Sequence, residues 1–320
     1  MDAKYEIELL ISSFDEPYKS SFNTGIITHI NRAEVYFDKA LSENDEMYYT
    51  DVIYRCNHAY EGILKEAYAI FKGKDSSKLT PDKIEKDFFA SKLINDRLKN
   101  LFSAYRHDWR NPSTHEYKLF FSKEEAFVAI HSVYSFVYIL LSQLSVLCAH
   151  KKVNDKSIKS IQIKGFNYKA IIDNIINFSK YLKSENIKAI NEFHIVGYLS
   201  AYLEKTFPNL LIKNEFRFNG CIADIVIFYN NKIVCLIEVK RGFYKNYKNA
   251  YLQAQNYVKS LKSDFGIVYI FSEDEDIEYD VILDEITGIT SKKNNDKNKV
   301  ESNIAVILPK KNIDNITNGL

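Results

Sequence analysis

The apolar residues of this chain keep one spacing over its first 150 residues and mix two spacings after that, and the change limits what the chain can fold into. Before it, apolar stripes recur every three or four residues. Tyr49, Ile53, Cys56, Tyr60, Leu64, Ala67 and Phe71 share one face of a helix predicted over about 45–72, which Gly73 stops. Thr80 as N-cap and Pro81 as first helical residue predict a second helix that runs to about Tyr105. Ser122 with Glu125 forms a capping box for a third. Beyond the polar, basic stretch Lys151–Gly165, helices at 167–184 and 188–206 give way to the strand-like runs LIKNEFRF, IADIVIFY and KIVCLIEVKR. Asn219-Gly220 and Asn230-Asn231 mark turns between them. A helix near 246–262, the strand GIVYIF, a loop at 291–299 and a last strand at 304–308 complete the pattern. The expected fold is α plus α/β: a helical bundle over 1–150, a linker and connecting helix over 151–185, and an α/β domain with a mixed sheet over 186–320.

Charge and cysteine usage exclude some functions. A net charge of +1 is too small for a broadly basic nucleic-acid binder, so any basic surface must be local. Cys56, Cys148, Cys221 and Cys235 are scattered, which argues against a zinc ribbon or a disulfide framework and fits a reducing cytoplasm. The opening MDAKYEIELL carries charges within its short apolar run and does not read as a signal peptide. Residues 126–149 hold no formal charge and are long enough to span a bilayer. His131, Ser132, Ser135, Ser142, Gln143 and Ser145 interrupt them, while Ala126, Ile130, Val133, Val137, Leu140, Leu144 and Leu147 keep to one face. That pattern predicts a buried or dimer-forming helix, not a membrane span.

Acidic residues inside apolar strands are the chemical anomaly. Asp224 sits in CIADIVIF and Glu238 in VCLIEVKR, and a buried carboxylate is costly unless paired or metal-bound. Glu238 and Lys240 are two apart on one strand and share a face. With a two-residue turn at Asn230-Asn231, Asp224 would lie opposite Ile237; a three-residue turn or a bulge is needed to set it opposite Glu238. Two carboxylates on adjacent strands would make a hard-oxygen site for Mg²⁺ or Mn²⁺, and a lysine beside it could orient a nucleophile or stabilise developing charge. On these residues alone, an ordinary ion pair at a sheet edge is the slightly favoured reading.

The pattern Asp-x13-Glu-Val-Lys on two meander strands between helices resembles the PD-(D/E)xK nuclease superfamily, with Ala223-Asp224 in place of Pro-Asp. Gln253 and Tyr257, four apart on the next helix, resemble the Gln-x3-Tyr element of the RecB-like branch. Glu192 stands where the first core helix of such nucleases often supplies a further acid, although a solvated first-turn glutamate would look the same. The resemblance covers 185–272. It implies a nuclease site with Asp224 and Glu238 on the metal and Lys240, Gln253, Tyr257 and Glu192 around it.

In the helical half, Arg110-Asn111-Pro112-Ser113-Thr114-His115 lies in a polar segment read as a loop. Arginine can hold a phosphate bidentately and histidine can act as acid or base near neutral pH. Arg-Asn-x3-His in an all-helical domain resembles the HEPN family, as does the helix YRCNHAYEGILKEAY. That resemblance implies a two-fold dimer and, through Arg110 and His115, metal-free RNA cleavage. Local capping by Arg110 and a solvated His115 form the plainer reading. Together the two resemblances imply a cytoplasmic antiphage defence nuclease acting on DNA or RNA, as a homodimer and with a defence-system partner protein. A repair or restriction nuclease with a non-catalytic helical domain, or an inactive nucleic-acid-binding regulator, are the alternatives.

Overall fold

The computed structural model describes residues 2–91, 93–116, 118–162, 165–218, 220–242, 247–272, 278–283 and 304–310. They form two compact units, Met1–Leu147 and Cys148–Leu320.

The first unit is helical. Helices α1 (Ala3–Ser12) and α2 (Tyr18–Phe22) lead through a π-helical turn, Asn23–Ile27, into α3 (Thr28–Glu43). Helix α4 (Met47–Lys72) is the core element and buries Val52, Ile53, Cys56, Ala59, Tyr60, Ile63, Leu64 and Ala67. Gly73 ends it with φ +64° and donates its N–H to the Ala69 carbonyl at 2.8 Å. Gly62 lets α4 approach the preceding π turn, since a Cβ there would stand 2.4 Å from the Gly25 carbonyl oxygen.

The single helix expected from Pro81 to Tyr105 is two, α5 (Pro81–Ala90) and α6 (Asp96–Tyr105). The break has a local cause. Asn95 is extended, with φ −77° and ψ 163°, and its side chain accepts from the Leu98 N–H at 2.9 Å, so it starts a new helix. The segment expected as a loop is also helical: a π-helical turn, Arg106–Arg110, continues into α7 (Asn111–His115). Pro112 lies in the first turn of α7, where proline is tolerated. Helix α8 (Lys123–Asn154) opens with the expected capping box: the Ser122 N–H donates to Glu125 at 2.8 Å, and the Glu125 N–H donates to Ser122 Oγ at 3.2 Å. It is long and apolar enough to cross a membrane, yet Ala126, Ala129, Phe136, Val137, Leu140, Leu141 and Leu144 are all buried by protein.

Among the described residues, the second unit is a six-stranded mixed sheet with helices on both faces. Its elements are α9 (Tyr168–Ser184), α10 (Glu192–Thr206), β1 (Leu211–Phe218), β2 (Cys221–Tyr229), β3 (Lys232–Arg241), α11 (Tyr247–Leu261), β4 (Phe265–Phe271), β5 (Tyr279–Leu283) and β6 (Ile304–Pro309). The strand order is β1-β2-β3-β4-β6-β5. The first three strands form an antiparallel meander; β3, β4 and β6 run parallel, and β5 pairs antiparallel with β6. The sequence pattern does not anticipate β5. Strand alternation sorts the two faces. Leu236, Val268 and Val306 pack with Ala254 and Val258 of α11. On the other face, Phe178 of α9 contacts Tyr269 of β4 at 6.5 Å and Tyr202 of α10 at 5.3 Å. The helix called a connector therefore packs into the second unit. Asn219 of the first expected turn and the expected loop at 291–299 fall outside the described residues.

Candidate active site

Register decides whether Asp224 and Glu238 meet. Tyr229 pairs with Lys232 and Phe228 with Ile233, so Asn230-Asn231 is a two-residue turn, with φ of 49° and 61° at its two positions. Ile227 then pairs with Cys235 and Ile225 with Ile237. Val234 is thus the extra residue of a bulge. One further step in this register sets Asp224 opposite Glu238. Of the two devices the sequence allowed, the protein uses the bulge.

The three residues converge on the face that α11 covers. Glu238 is fully buried. Lys240 Nζ stands 3.5 Å from Glu238 Oε2 and 3.9 Å from Asp224 Oδ2. Asp224 Oδ2 also accepts from the Val239 N–H at 2.8 Å. Among the described residues, Glu238 Oε1 is buried without a hydrogen-bond partner. Burial, and then the Asp224 charge, push the Glu238 carboxyl up to about 8. Burial also raises the Asp224 carboxyl, against the pull of Lys240 and the Val239 N–H. For Lys240, burial alone would favour the neutral amine; the charges of Asp224, Glu238 and Glu192 outweigh it and raise the ammonium. One lysine is therefore too little positive charge for this pair of carboxylates.

Glu192, the first residue of α10, is tied to the end of β3: its Oε1 accepts from the Arg241 N–H at 2.7 Å. It is not a freely solvated first-turn glutamate, and its charge raises the Asp224 carboxyl. Gln253 Nε2 donates to Tyr257 Oη at 3.1 Å, and Tyr257 packs against the core under α11. This pair shares the helix that covers the carboxylate face, but its recorded hydrogen bond is internal.

Glu215 is the residue that the sequence reading missed. Asn214 pairs with Ile225 and Phe216 with Ala223, which leaves Glu215 opposite Asp224 on the outer strand. It is held at φ +47°, unusual for a side-chain-bearing residue, and its charge also raises the Asp224 carboxyl. Its spacing from Asp224 has meaning only once the β1–β2 register is known.

The arrangement suits a hard divalent cation in one respect: an unpartnered buried carboxylate oxygen lies beside a second carboxylate. Among the described residues, no three His, Cys, Asp or Glu side chains are grouped to hold one ion. Asp224 and Glu238 would supply two protein ligands, and water or substrate oxygens the rest, a common arrangement for Mg²⁺.

Comparison with protein-family models, curated proteins and solved structures finds no match.

In the first unit, Arg110 and His115 lie on consecutive helical segments. Arg110 Nε and Nη2 both stand 3.3 Å from Glu61 Oε1, and Nη1 is 3.4 Å from Asn111 Oδ1. His115 is exposed. Helix α4 fixes the segment: Asn57 Nδ2 donates to Ser113 Oγ at 2.7 Å, and Tyr105 Oη donates to Asn57 Oδ1 at 3.0 Å.

Proposed function

We propose that this protein is a divalent-metal-dependent nuclease of the PD-(D/E)xK type, related to the RecB-like branch, with its centre at Asp224, Glu238 and Lys240. The observation that carries the reading is the fully buried Glu238, whose Oε1 has no hydrogen-bond partner among the described residues, with Asp224 beside it. A buried oxygen in that condition costs about 1–3 kcal/mol or more, so a ligand that needs it offers an account of its presence. The ordinary ion pair explains less, because Lys240 reaches only the other oxygen, at 3.5 Å.

Asp224 and Glu238 would hold Mg²⁺ or Mn²⁺, which supplies an activated water and neutralises phosphate charge. Lys240, kept charged by its acidic neighbours, is placed to donate to a phosphate oxygen or to orient the attacking water. Glu192 holds α10 against the end of β3 and so fixes the rim of the site. Gln253 and Tyr257 offer an amide and a phenol on the covering helix. DNA is the favoured substrate.

The helical unit is assigned a HEPN-like role, dimerisation and RNA binding, within a cytoplasmic antiphage effector acting with a defence-system partner. The engagement of Arg110 by Glu61 favours binding over metal-free RNA cleavage as the role of that segment. A repair or restriction nuclease would share the same centre and differ in leaving discrete cut sites.

The test is incubation of purified protein with DNA and with RNA in Mg²⁺, Mn²⁺ or EDTA. DNA cleavage in metal that is lost in EDTA and in Asp224→Ala is expected. Full activity of Asp224→Ala in Mg²⁺ would overturn the assignment, and the absence of any cleavage would favour an inactive regulator. Light scattering at micromolar concentration should report a dimer; a monomer would remove the two-fold assembly.

A further inference from the structure

The outer strand β1 carries an aromatic shelf beside the carboxylate centre. Its origin is the left-handed backbone at Glu215, φ +47°. In a regular strand Asn214 and Phe216 would point the same way. Here they do not. Asn214 Nδ2 donates to Ser200 Oγ of α10 at 3.0 Å, whereas Phe216 packs against the cluster that holds Ala250, Ala254 and Val258 of α11. The irregular residue therefore brings Lys213, Phe216 and Phe218 to one face of β1. The rings of Phe216 and Phe218 are inclined by 20° with centroids 6.5 Å apart, and Phe216 meets Phe228 of β2 at 5.4 Å. Lys213 Nζ lies over the rings of Phe228 and Phe216, 5.1 and 6.0 Å from their centroids.

The shelf is open, and it passes alongside the carboxylates. Helix α11 packs mainly on β3, β4 and β6, so its cover stops short of the outer strand. Phe218 is 51% exposed, and Phe216 and Phe228 are half-buried. Leu236, in the same cluster as Phe216, shares its strand face with Glu238 and Lys240, so shelf and centre lie on one side of the sheet. Lys213 pairs with Val226 on one side of Asp224; Phe216 pairs with Ala223 and Phe218 with Cys221 on the other. Among the described residues Lys213 makes no ion pair. The acids on these two strands, Glu215 and Asp224, belong to the centre itself. Asn219, between β1 and β2, and residues 243–246, after β3, lie outside the described residues and include no acid.

We infer that β1 is the strand-binding face of the centre: an unpaired DNA strand lies along it, with a base stacked on Phe218, a backbone phosphate at Lys213, and the phosphate to be cut between them at Asp224 and Glu238. The inference rests on the nuclease reading of that centre and adds the form of its substrate. An open ring on a strand surface selects unpaired bases, because the bases of a duplex already stack on one another and offer no free face. Lys213 adds a phosphate contact that carries no sequence preference. Phe218 and Lys213 are exposed, so their replacement tests the shelf without disturbing the core.

The experiment is fluorescence anisotropy of the full chain in EDTA, which separates binding from metal-dependent cleavage. The probes are a short labelled DNA strand of mixed sequence, the same strand in a duplex, and an RNA strand of the same sequence. The single DNA strand should bind at least about tenfold more tightly than its duplex. Phe218→Ala should weaken that binding at least about fivefold, and Phe218→Trp, which keeps a ring, should hold it within about twofold of wild type. Lys213→Ala should weaken binding and lower the slope of log affinity against log salt by about 0.7, the share of one phosphate contact on a single strand. Tyr5→Ala, which removes a comparably exposed ring from the helical unit, should change affinity less than about twofold. Duplex or RNA binding as tightly as the DNA strand would overturn the inference, and so would affinity that Phe218→Ala leaves unchanged. If Phe218→Ala alters neither binding nor Asp224-dependent cleavage in Mg²⁺, the shelf fails and the nuclease reading stands. Phe218-dependent binding without cleavage in any metal would uphold the shelf and overturn the nuclease reading alone.

Discussion

Each unit contains a fully buried glutamate, and the two are treated differently. Glu85, in the helical unit, accepts a short hydrogen bond from Tyr60 Oη, and its other oxygen stands 3.2 Å from Arg106 Nε, an ion pair not aligned as a hydrogen bond. Arg106 is held in turn by Asp82 at 2.7 Å. Glu238, in the sheet, has one oxygen facing Lys240 at 3.5 Å and the other without a hydrogen-bond partner among the described residues. Burial raises both carboxyls, but only Glu238 is pushed as far as about 8. Glu85 Oε2, like Glu238 Oε1, lacks a hydrogen bond, but the Arg106 guanidinium stands beside it, and a carboxylate with a cation at hand on that oxygen is a structural element. One left half-compensated beside a second carboxylate is poised for an external cation.

The largest effect that could break this comparison is on catalysis. Glu238→Gln and Asp224→Ala should each lower Mg²⁺-dependent DNA cleavage on the order of 10³-fold, while Glu85→Gln should leave it within about twofold. Equal losses at Glu85 and Glu238 in well-folded protein would erase the distinction. Next in size, Lys240→Ala should reduce kcat about 10²-fold with metal affinity unweakened, since the amine acts on water or phosphate and repels the ion. A loss of metal binding in that variant, measured by titration with Mn²⁺, would make Lys240 a structural partner of the carboxylates instead.

The stability difference is smaller and depends on pH. Glu238 ordinarily titrates near 4.5 and in the folded state near 8. A raised folded-state value means that its contribution is fully present below 4.5 and is lost as pH rises through about 8. Glutamine does not titrate, so the metal-free Glu238→Gln protein should gain thermal stability over the wild type as pH climbs through that window. Glu85 shifts in the same direction for the same first cause, burial, and Glu85→Gln should show a weaker trend because Tyr60 and Arg106 oppose the shift. Unfolding midpoints in EDTA from pH 4.5 to 9 would check both, and parallel curves for the two variants would contradict the comparison. The smallest expected effect is at His115: His115→Ala should change DNA cleavage less than about twofold. RNA cleavage that persists in EDTA and vanishes in this variant would instead add a second, metal-free centre to the helical unit.

The sequence by itself determined where the main elements lie. The apolar stripe of α4, Thr80 before Pro81, the Ser122–Glu125 box and the Asn230-Asn231 turn all act through neighbours a few residues away, so their physics is visible in one dimension. It also marked Asp224, Glu238 and Lys240, because charge inside an apolar strand is anomalous wherever it is met. The helix break at Asn95 was written locally too, in a capping side chain that the apolar pattern around it obscured. What only the tertiary structure decided were relations across strands. The bulge at Val234 moves Asp224 from opposite Ile237 to opposite Glu238, and the β1–β2 register sets Glu215 beside it. The left-handed backbone at Glu215 likewise brings Lys213 and Phe216 to one face of β1. A side-chain period of two makes every such relation depend on a one-residue choice, and that choice is settled by packing over the whole sheet and not by the residues on either side of it.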